Sequence, residues 1–288
     1  MPDHLHPVER MRSHRPLTPL AEAETFAYRP WRASVDGPVL GHMAWSLAEA
    51  LCAAGQARPD GFGLCLTDAP TDPAGLSERL EHLRHWAAAH DLIPPERGER
   101  MAIRPEPHLE IAAWADRSLM RPFGLWLQKV HINGQVRTPA GPNLWLSLRS
   151  PLARSAPGEW DTLVAGGQAL GDTAEVAARR EAFEEAGLNS AQCAGLLPRG
   201  VVALSYQTPL GLHREVLTLF DLDLPADYEP RCHDGEIVLF RCFDAASLET
   251  AMLALPIKFA ARLIIGNWVR RQQECDPDVL QTGGDMSC

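Results

Sequence analysis

Three glutamates, Glu181, Glu184 and Glu185, stand in the stretch GGQALGDTAEVAARREAFEEAGL, residues 166–188. At i, i+3 and i+4 they share one face of a helix. Like charges ~5 Å apart repel by about 3 kcal/mol at an effective dielectric near 20, so the cluster needs a counter-charge. Arg180, four positions before Glu184, can neutralise one carboxylate and leaves the rest. A hard divalent cation with a preference for oxygen ligands meets that need, Mg²⁺ above all, with Mn²⁺ as an alternative. Because Mg²⁺ keeps several waters and bridges phosphate oxygens, the expected ligand is a diphosphate.

The elements that must hold these side chains are legible around them. Gly166-Gly167 follows the strand-like DTLVA and permits a tight backbone turn. Asp172, three residues before Glu175, predicts a capping-box start of a helix at Thr173, and Gly187 predicts its end. From Phe123 onward, LWLQKVHING, NLWLSLRS, DTLVAGG, GVVALSYQT, HREVLTLFDLDL and GEIVLFRCF read as strands. Two strong helices interrupt them, at 173–187 and 257–273. Upstream, WRASVDG starts a strand and Met43 to Leu51 a helix; FGLCLTD reads as a strand, Asp72-Pro73 opens a second helix, and HLEIAAWAD reads as a further strand. This predicts an α+β chain: an N-terminal α+β domain over 1–120, whose residues 1–25 are a leader, a second domain over 121–275, and a flexible tail over 276–288.

The series Gly166, five residues, Asp172, seven residues, then Arg180-Glu181-Ala182-Phe183-Glu184-Glu185-Ala186-Gly187-Leu188 resembles the Nudix box, G-x5-E-x7-R-E-U-x-E-E-x-G-U with U aliphatic. Asp172 replaces the first Glu and Ala182 fills an aliphatic slot; the other defined positions match. The resemblance implies a Nudix α/β/α sandwich with a mixed sheet. It implies that Glu181, Glu184, Glu185 and the Gly166 main chain hold metal, and that Arg180 orients Glu184. Water would then attack phosphorus, with a glutamate as base or water-positioning ligand. Glu236, after the turn-like His233-Asp234-Gly235, is the candidate for that task outside the box, ahead of Glu215.

The likeness extends to VHINGQV, LWLSLRS, PGEWDTLVAGG, LSYQTPLGLHREVL and FDLDLPADYEPRCHDGE. Together these resemble a two-domain Nudix branch related to modules associated with thiamine pyrophosphokinase. Thiamine diphosphate, or its oxo and oxy analogues, is therefore the implied substrate, cut to the monophosphate. Arg149, Arg154 and Trp160 are the candidate substrate-binding residues, as phosphate clamps and a stacking surface. The branch tends to carry Lys where Ala153 aligns, and Arg154 next to it can supply the charge. Rival readings are hydrolysis of ADP-ribose or NADH, and a binding module that has lost hydrolysis.

Acids outnumber bases 37 to 27, for a formal charge of -10, which argues against nucleic-acid binding. No run of 18 apolar residues suggests a membrane segment. The seven scattered cysteines without a CxxC pair suggest reduced thiols and a cytoplasmic location. His82 and His85 on one helix face, and His4 and His6 in the leader, are expected to be exposed bystanders. Homodimerisation is an expectation by family analogy alone.

Overall fold

The computed structural model describes residues 28–208 and 211–274. The expected leader with His4 and His6, the tail, Cys275, Cys288 and Pro209 of the Thr208-Pro209 turn lie outside the described residues.

A four-stranded sheet comes first. Its strands are β1 (Tyr28–Arg32), β2 (Gly41–Ala44), β3 (Ala57–Asp60) and β4 (Gly63–Leu66), in the order β2-β1-β4-β3, with β1 and β4 parallel. Helix α1 (Trp45–Ala53) follows β2 directly. Helix α2 (Pro73–Ala89) starts where Asp72-Pro73 predicts: the Asp72 carboxylate accepts from the Gly75 N–H at 2.9 Å. Its buried Leu76, Leu80, Leu83 and Ala87 recur at helical spacing and pack into one core with Trp31, Met43 and Leu51. A two-stranded ribbon, β5 (Arg100–Ile103) with β6 (Ala113–Asp116), completes this region before the short helix α3 (Arg117–Met120). The strand expected over HLEIAAWAD is thus confined to its last four residues.

The larger sheet is mixed, in the order β11-β12-β7-β8-β13. It comprises β7 (Trp126–Thr138), β8 (Gly141–Arg149), β11 (Leu197–Thr208), β12 (Gly211–Asp223) and β13 (Ile237–Phe243), extended by β9 (Trp160–Thr162) on β8 and β10 (Val164–Gly167) on β7. Only β7 and β12 run parallel. Helix α4 (Ala174–Ala186) covers one face, its Ala177, Ala178 and Ala182 packed with Val130, Ile132, Phe220 and Leu222. Helices α5 (Ala245–Ala254) and α6 (Phe259–Glu274) cover the other, with Leu144, Leu146, Ile265 and Trp268. The result is the helix–sheet–helix sandwich implied by the resemblance. Helix α5 is additional to the two helices expected; its Asp244 cap accepts from the Ser247 N–H at 2.8 Å.

Strand β7 carries apolar Val130 and Ile132 toward α4 and polar Lys129, His131, Asn133 and Gln135 at the alternate positions, all buried. Each polar side chain has a partner. Lys129 bonds Glu215 at 3.0 Å, His131 bonds Thr162 at 2.9 Å, Asn133 bonds Asp221 at 3.0 Å, and Gln135 accepts from the Trp268 indole at 2.8 Å. Asp221 also receives Arg271 of α6 and Arg199 of β11, each at 2.7 Å, so one buried carboxylate ties three elements to the sheet centre.

Burial pushes the Asp221 carboxyl up, but the hydrogen bonds from Arg271, Asn133 and Arg199 prevail and hold it below the ordinary carboxylate value. Asp221 therefore contributes stability above about pH 4, and that contribution is lost as pH falls through its lower folded-state value. Asp221→Asn should lower stability at pH 7 by about 1.5–3 kcal/mol. In urea unfolding at stepped pH, its difference from wild type should shrink below about pH 4.

Candidate active site

Helix α4 is bounded by local chemistry at both ends. Thr173, not Asp172, is its N-cap: the Thr173 hydroxyl accepts from the Val176 N–H at 3.2 Å. Asp172 instead lies 3.6 Å from the Arg180 guanidinium, which corrects the capping-box expectation. At the other end Gly187 takes φ 71°, a left-handed conformation open to glycine. The Gly187 and Leu188 N–H groups bond back to Phe183 and Ala182. Ala182, the departure in the aliphatic slot, is fully buried and lets α4 lie close against the sheet. The approach is closest at Gly166, where an added Cβ would stand 1.9 Å from the Glu181 carboxyl carbon.

The three glutamates do not share one environment. At about 100° per residue, Glu181 and Glu185 diverge by only ~40°, while Glu184 turns ~60° the other way. Glu181 and Glu185 are accordingly buried and line a cavity; the Glu184 side chain is 41% exposed and lies outside that lining. Glu185 accepts from the Ala165 N–H at 2.8 Å, and burial, reinforced by the Glu181 charge, pushes its carboxyl up to about 8. Burial raises Glu181 as well, against the opposing pull of Arg180. Arg180 stands behind the cavity and binds three groups: Glu181 at 2.6 Å, Glu184 at 3.4 Å and the Gly167 carbonyl at 2.9 Å. Its stronger partner is Glu181 rather than the expected Glu184.

Among the described residues no three His, Cys, Asp or Glu side chains form a ready metal cage. The donor set nevertheless suits a hard cation. Two neighbouring carboxylates, both raised by burial and one by its neighbour, face a cavity beside the closely packed Gly166 main chain.

The cavity holds about 680 Å³ and lies between the N-terminal region and the large sheet. Its charged lining comprises Glu181, Glu185 and Glu236 against Arg97, Arg117, Arg121, Lys129, Arg149, Arg154 and Lys258. Leu47, Leu92, Met120 and Leu127 supply an apolar side. Glu236 and Arg149, far apart in sequence, meet here at 3.1 Å, and Arg154 lies on the same wall. Trp160 does not. It packs edge-on against Phe243 at 6.0 Å inside the core under α6, because the alternation of β9 turns it away from the cavity. The stacking role expected of Trp160 is corrected accordingly.

Glu215 is likewise absent from the lining and lies beneath it, bonded to Lys129 and to the Tyr206 hydroxyl at 3.1 Å. Lys258, missed from the sequence, is held at 2.7 Å by Asp161, itself fully buried. A lysine inside an apolar run, as in LQKVH and PIKFA, is the signal that could have flagged Lys129 and Lys258. Arg97, Arg117 and Arg121 carry no such signal. His85 is exposed, as expected, with its ring on the Glu81 carbonyl at 3.0 Å. The described cysteines, Cys52, Cys65, Cys193, Cys232 and Cys242, are free thiols. Among the described residues no helix is long and apolar enough to cross a membrane.

Comparison with known proteins converges on the same region. Residues 132–263 match the NUDIX domain family. Over 176 residues the chain is 31% identical to Nudix hydrolase 24, chloroplastic, of Arabidopsis thaliana, covering 61% of this chain and 48% of that protein. Nudix hydrolase 20, chloroplastic, of the same plant is 30% identical over 56% of this chain and 43% of its own length. The chain thus spans less than half the length of these curated relatives. The crystal structure of DR0079 from Deinococcus radiodurans superposes with a TM-score of 0.44 at 24% identity, covering 60% of this chain and 99% of that one. With the box on α4 and the mixed sheet between helices, the chain carries a NUDIX domain over residues 132–263.

Proposed function

We propose that this protein is a divalent-metal-dependent hydrolase of an organic diphosphate. The reading rests above all on the cavity wall, where Glu181 and Glu185 share one enclosure with a surplus of cationic side chains. Glu181, Glu185 and the Gly166 main chain would hold Mg²⁺, with Glu184, joined to Glu181 through Arg180, as a further ligand. When bound, the ion supplies charge neutralisation to the diphosphate oxygens. Arg180 acts from behind, as a positioning residue that holds Glu181 and the Gly167 turn together. Lys129, Arg149, Arg154 and Lys258 supply positive charge to phosphate oxygens within the same cavity. Glu236, exposed at the cavity edge and steadied by Arg149, takes the proton of the attacking water as its oxygen bonds phosphorus and the P–O–P bridge breaks.

For the substrate we propose thiamine diphosphate or its oxo and oxy analogues, cut to the monophosphate. The apolar side formed by Leu47, Leu92, Met120 and Leu127 suits a flat ring system beside the charged half. In this reading the N-terminal domain, residues 1–120, shapes the ring-binding side. The cytoplasmic location belongs to the proposal too and rests on the free thiols.

The test is release of monophosphate and phosphate with and without Mg²⁺, from the thiamine group beside ADP-ribose and NADH. Metal-dependent turnover of the thiamine group is expected, and Glu185→Gln should lower kcat by about 10²–10³-fold. Turnover of ADP-ribose or NADH alone would remove the thiamine assignment; no turnover of any diphosphate would remove the hydrolase reading. Gly166→Ala gives a second check, because its Cβ would displace the Glu181 carboxylate. A fall of about 100-fold in kcat is expected with the circular-dichroism spectrum unchanged. Wild-type turnover in that variant would mean that Glu181 is not needed where it stands.

A further inference from the structure

The cations of the cavity are not equally provided for. Lys129 is paired with Glu215, Lys258 with Asp161, Arg149 with Glu236, and Arg117 with Glu99 at 2.8 Å. For Arg97, Arg121 and Arg154 there is no ion pair among the described residues. Arg121 is half-buried, and its guanidinium has one long hydrogen bond, to the Ser155 hydroxyl at 3.4 Å. Arg97 has its Nε buried without a partner. Burial holds both guanidinium groups below their ordinary value. For Arg97 the charges of Arg117, Arg154 and Arg121 add to the effect and Glu99 opposes it, while for Arg121 the charge of Glu215 opposes burial and that of Arg117 adds to it. Half-buried cations that repel one another are costly without an anion between them.

The arrangement is also held in place. The Asp116 carboxylate accepts from the Arg97 main-chain N–H at 3.0 Å and from the Ser118 N–H at 2.9 Å. It thereby fixes the Arg97 loop against α3, whose ends carry Arg117 and Arg121. Ser155 joins the two walls: Arg121 reaches its hydroxyl and Arg149 its carbonyl at 2.9 Å. Arg117 extends over Gly167, within 3.2 Å of where a Cβ would stand, and so connects this group to the carboxylate side. A second depression of about 370 Å³ continues from the cavity past Arg97, Arg149, Arg154 and Ser155.

We infer that Arg97 and Arg121, with Arg154 at the mouth, form a phosphate subsite that works without metal and anchors one phosphate of the substrate while the carboxylate wall acts on the bridge. This rests on reading the cavity as a diphosphate site. It makes the N-terminal region a contributor of substrate-binding charge, in addition to an apolar surface.

The test is calorimetric titration of the full chain, treated with chelator, with inorganic phosphate, and with malonate as a carboxylate of similar charge. Saturable phosphate binding is expected, stronger than malonate binding. Arg97→Gln and Arg121→Gln should each weaken it at least 10-fold, Arg121→Lys less, and Arg137→Gln, an equal charge change at an exposed site, not at all. Thermal unfolding of each variant identifies any that fail to fold, and Arg121→Lys then carries the comparison. Absence of saturable phosphate binding to the wild type, binding of malonate in preference, or wild-type affinity in both Gln variants would overturn the subsite. Mg²⁺-dependent hydrolysis on the same samples separates the two readings. Phosphate binding without turnover of any diphosphate would sink the hydrolase and leave the subsite. Turnover with an unchanged KM in both Gln variants would sink the subsite and leave the hydrolase.

Discussion

The central strand β7 has to serve two unlike environments at once, and most of the structure follows from how it does so. Its period of two sends Val130 and Ile132 into the apolar layer under α4 and Lys129, His131, Asn133 and Gln135 to the other face. Four buried polar side chains in one strand are tolerable only if each is hydrogen-bonded. The partners come from β9, β12 and α6, so satisfying β7 fixes the positions of all three. A one-residue slip of register would exchange the two faces and strand every one of these groups.

That same row runs from structural to functional territory. At the Asn133 end the side-chain amide donates to Asp221, which Arg271 and Arg199 share. At the Lys129 end it reaches the cavity, where Glu215 holds the ammonium group from below. Burial lowers Lys129 to about 8, with Glu215 opposing that shift. The sheet interior thus presents Lys129 to the cavity already desolvated, which strengthens any interaction it makes there.

At the α4 carboxylates the imbalance is reversed. The α4 carboxylates lie closer together than their own charges favour, and Arg180 relieves only Glu181 and Glu184. Glu185 has one main-chain N–H and the charge of Arg149, and burial still raises its carboxyl. The carboxylates gain from a cation and the surplus arginines from an anion. A metal-bound diphosphate supplies both, which is why the proposed chemistry fits the electrostatics better than either charge alone would.

Much of this was present in the residue order. Gly187 ends α4, strand alternation marks the sheet, and the box spacing identifies the NUDIX domain, because these depend on contacts within one turn or one strand. Glu236 was legible for a similar local reason, a carboxylate placed just after a turn. What the order of residues could not specify is direction. Whether Glu184 shares the cavity with Glu185, and whether Trp160 faces substrate or core, depends on which helix covers which face of the sheet. Nor could it show that Arg97, Arg117 and Arg121 cross to the carboxylate side. Those arginines lie in segments without periodicity or motif, and only the packing of the N-terminal region against the sandwich brings their charge to the site.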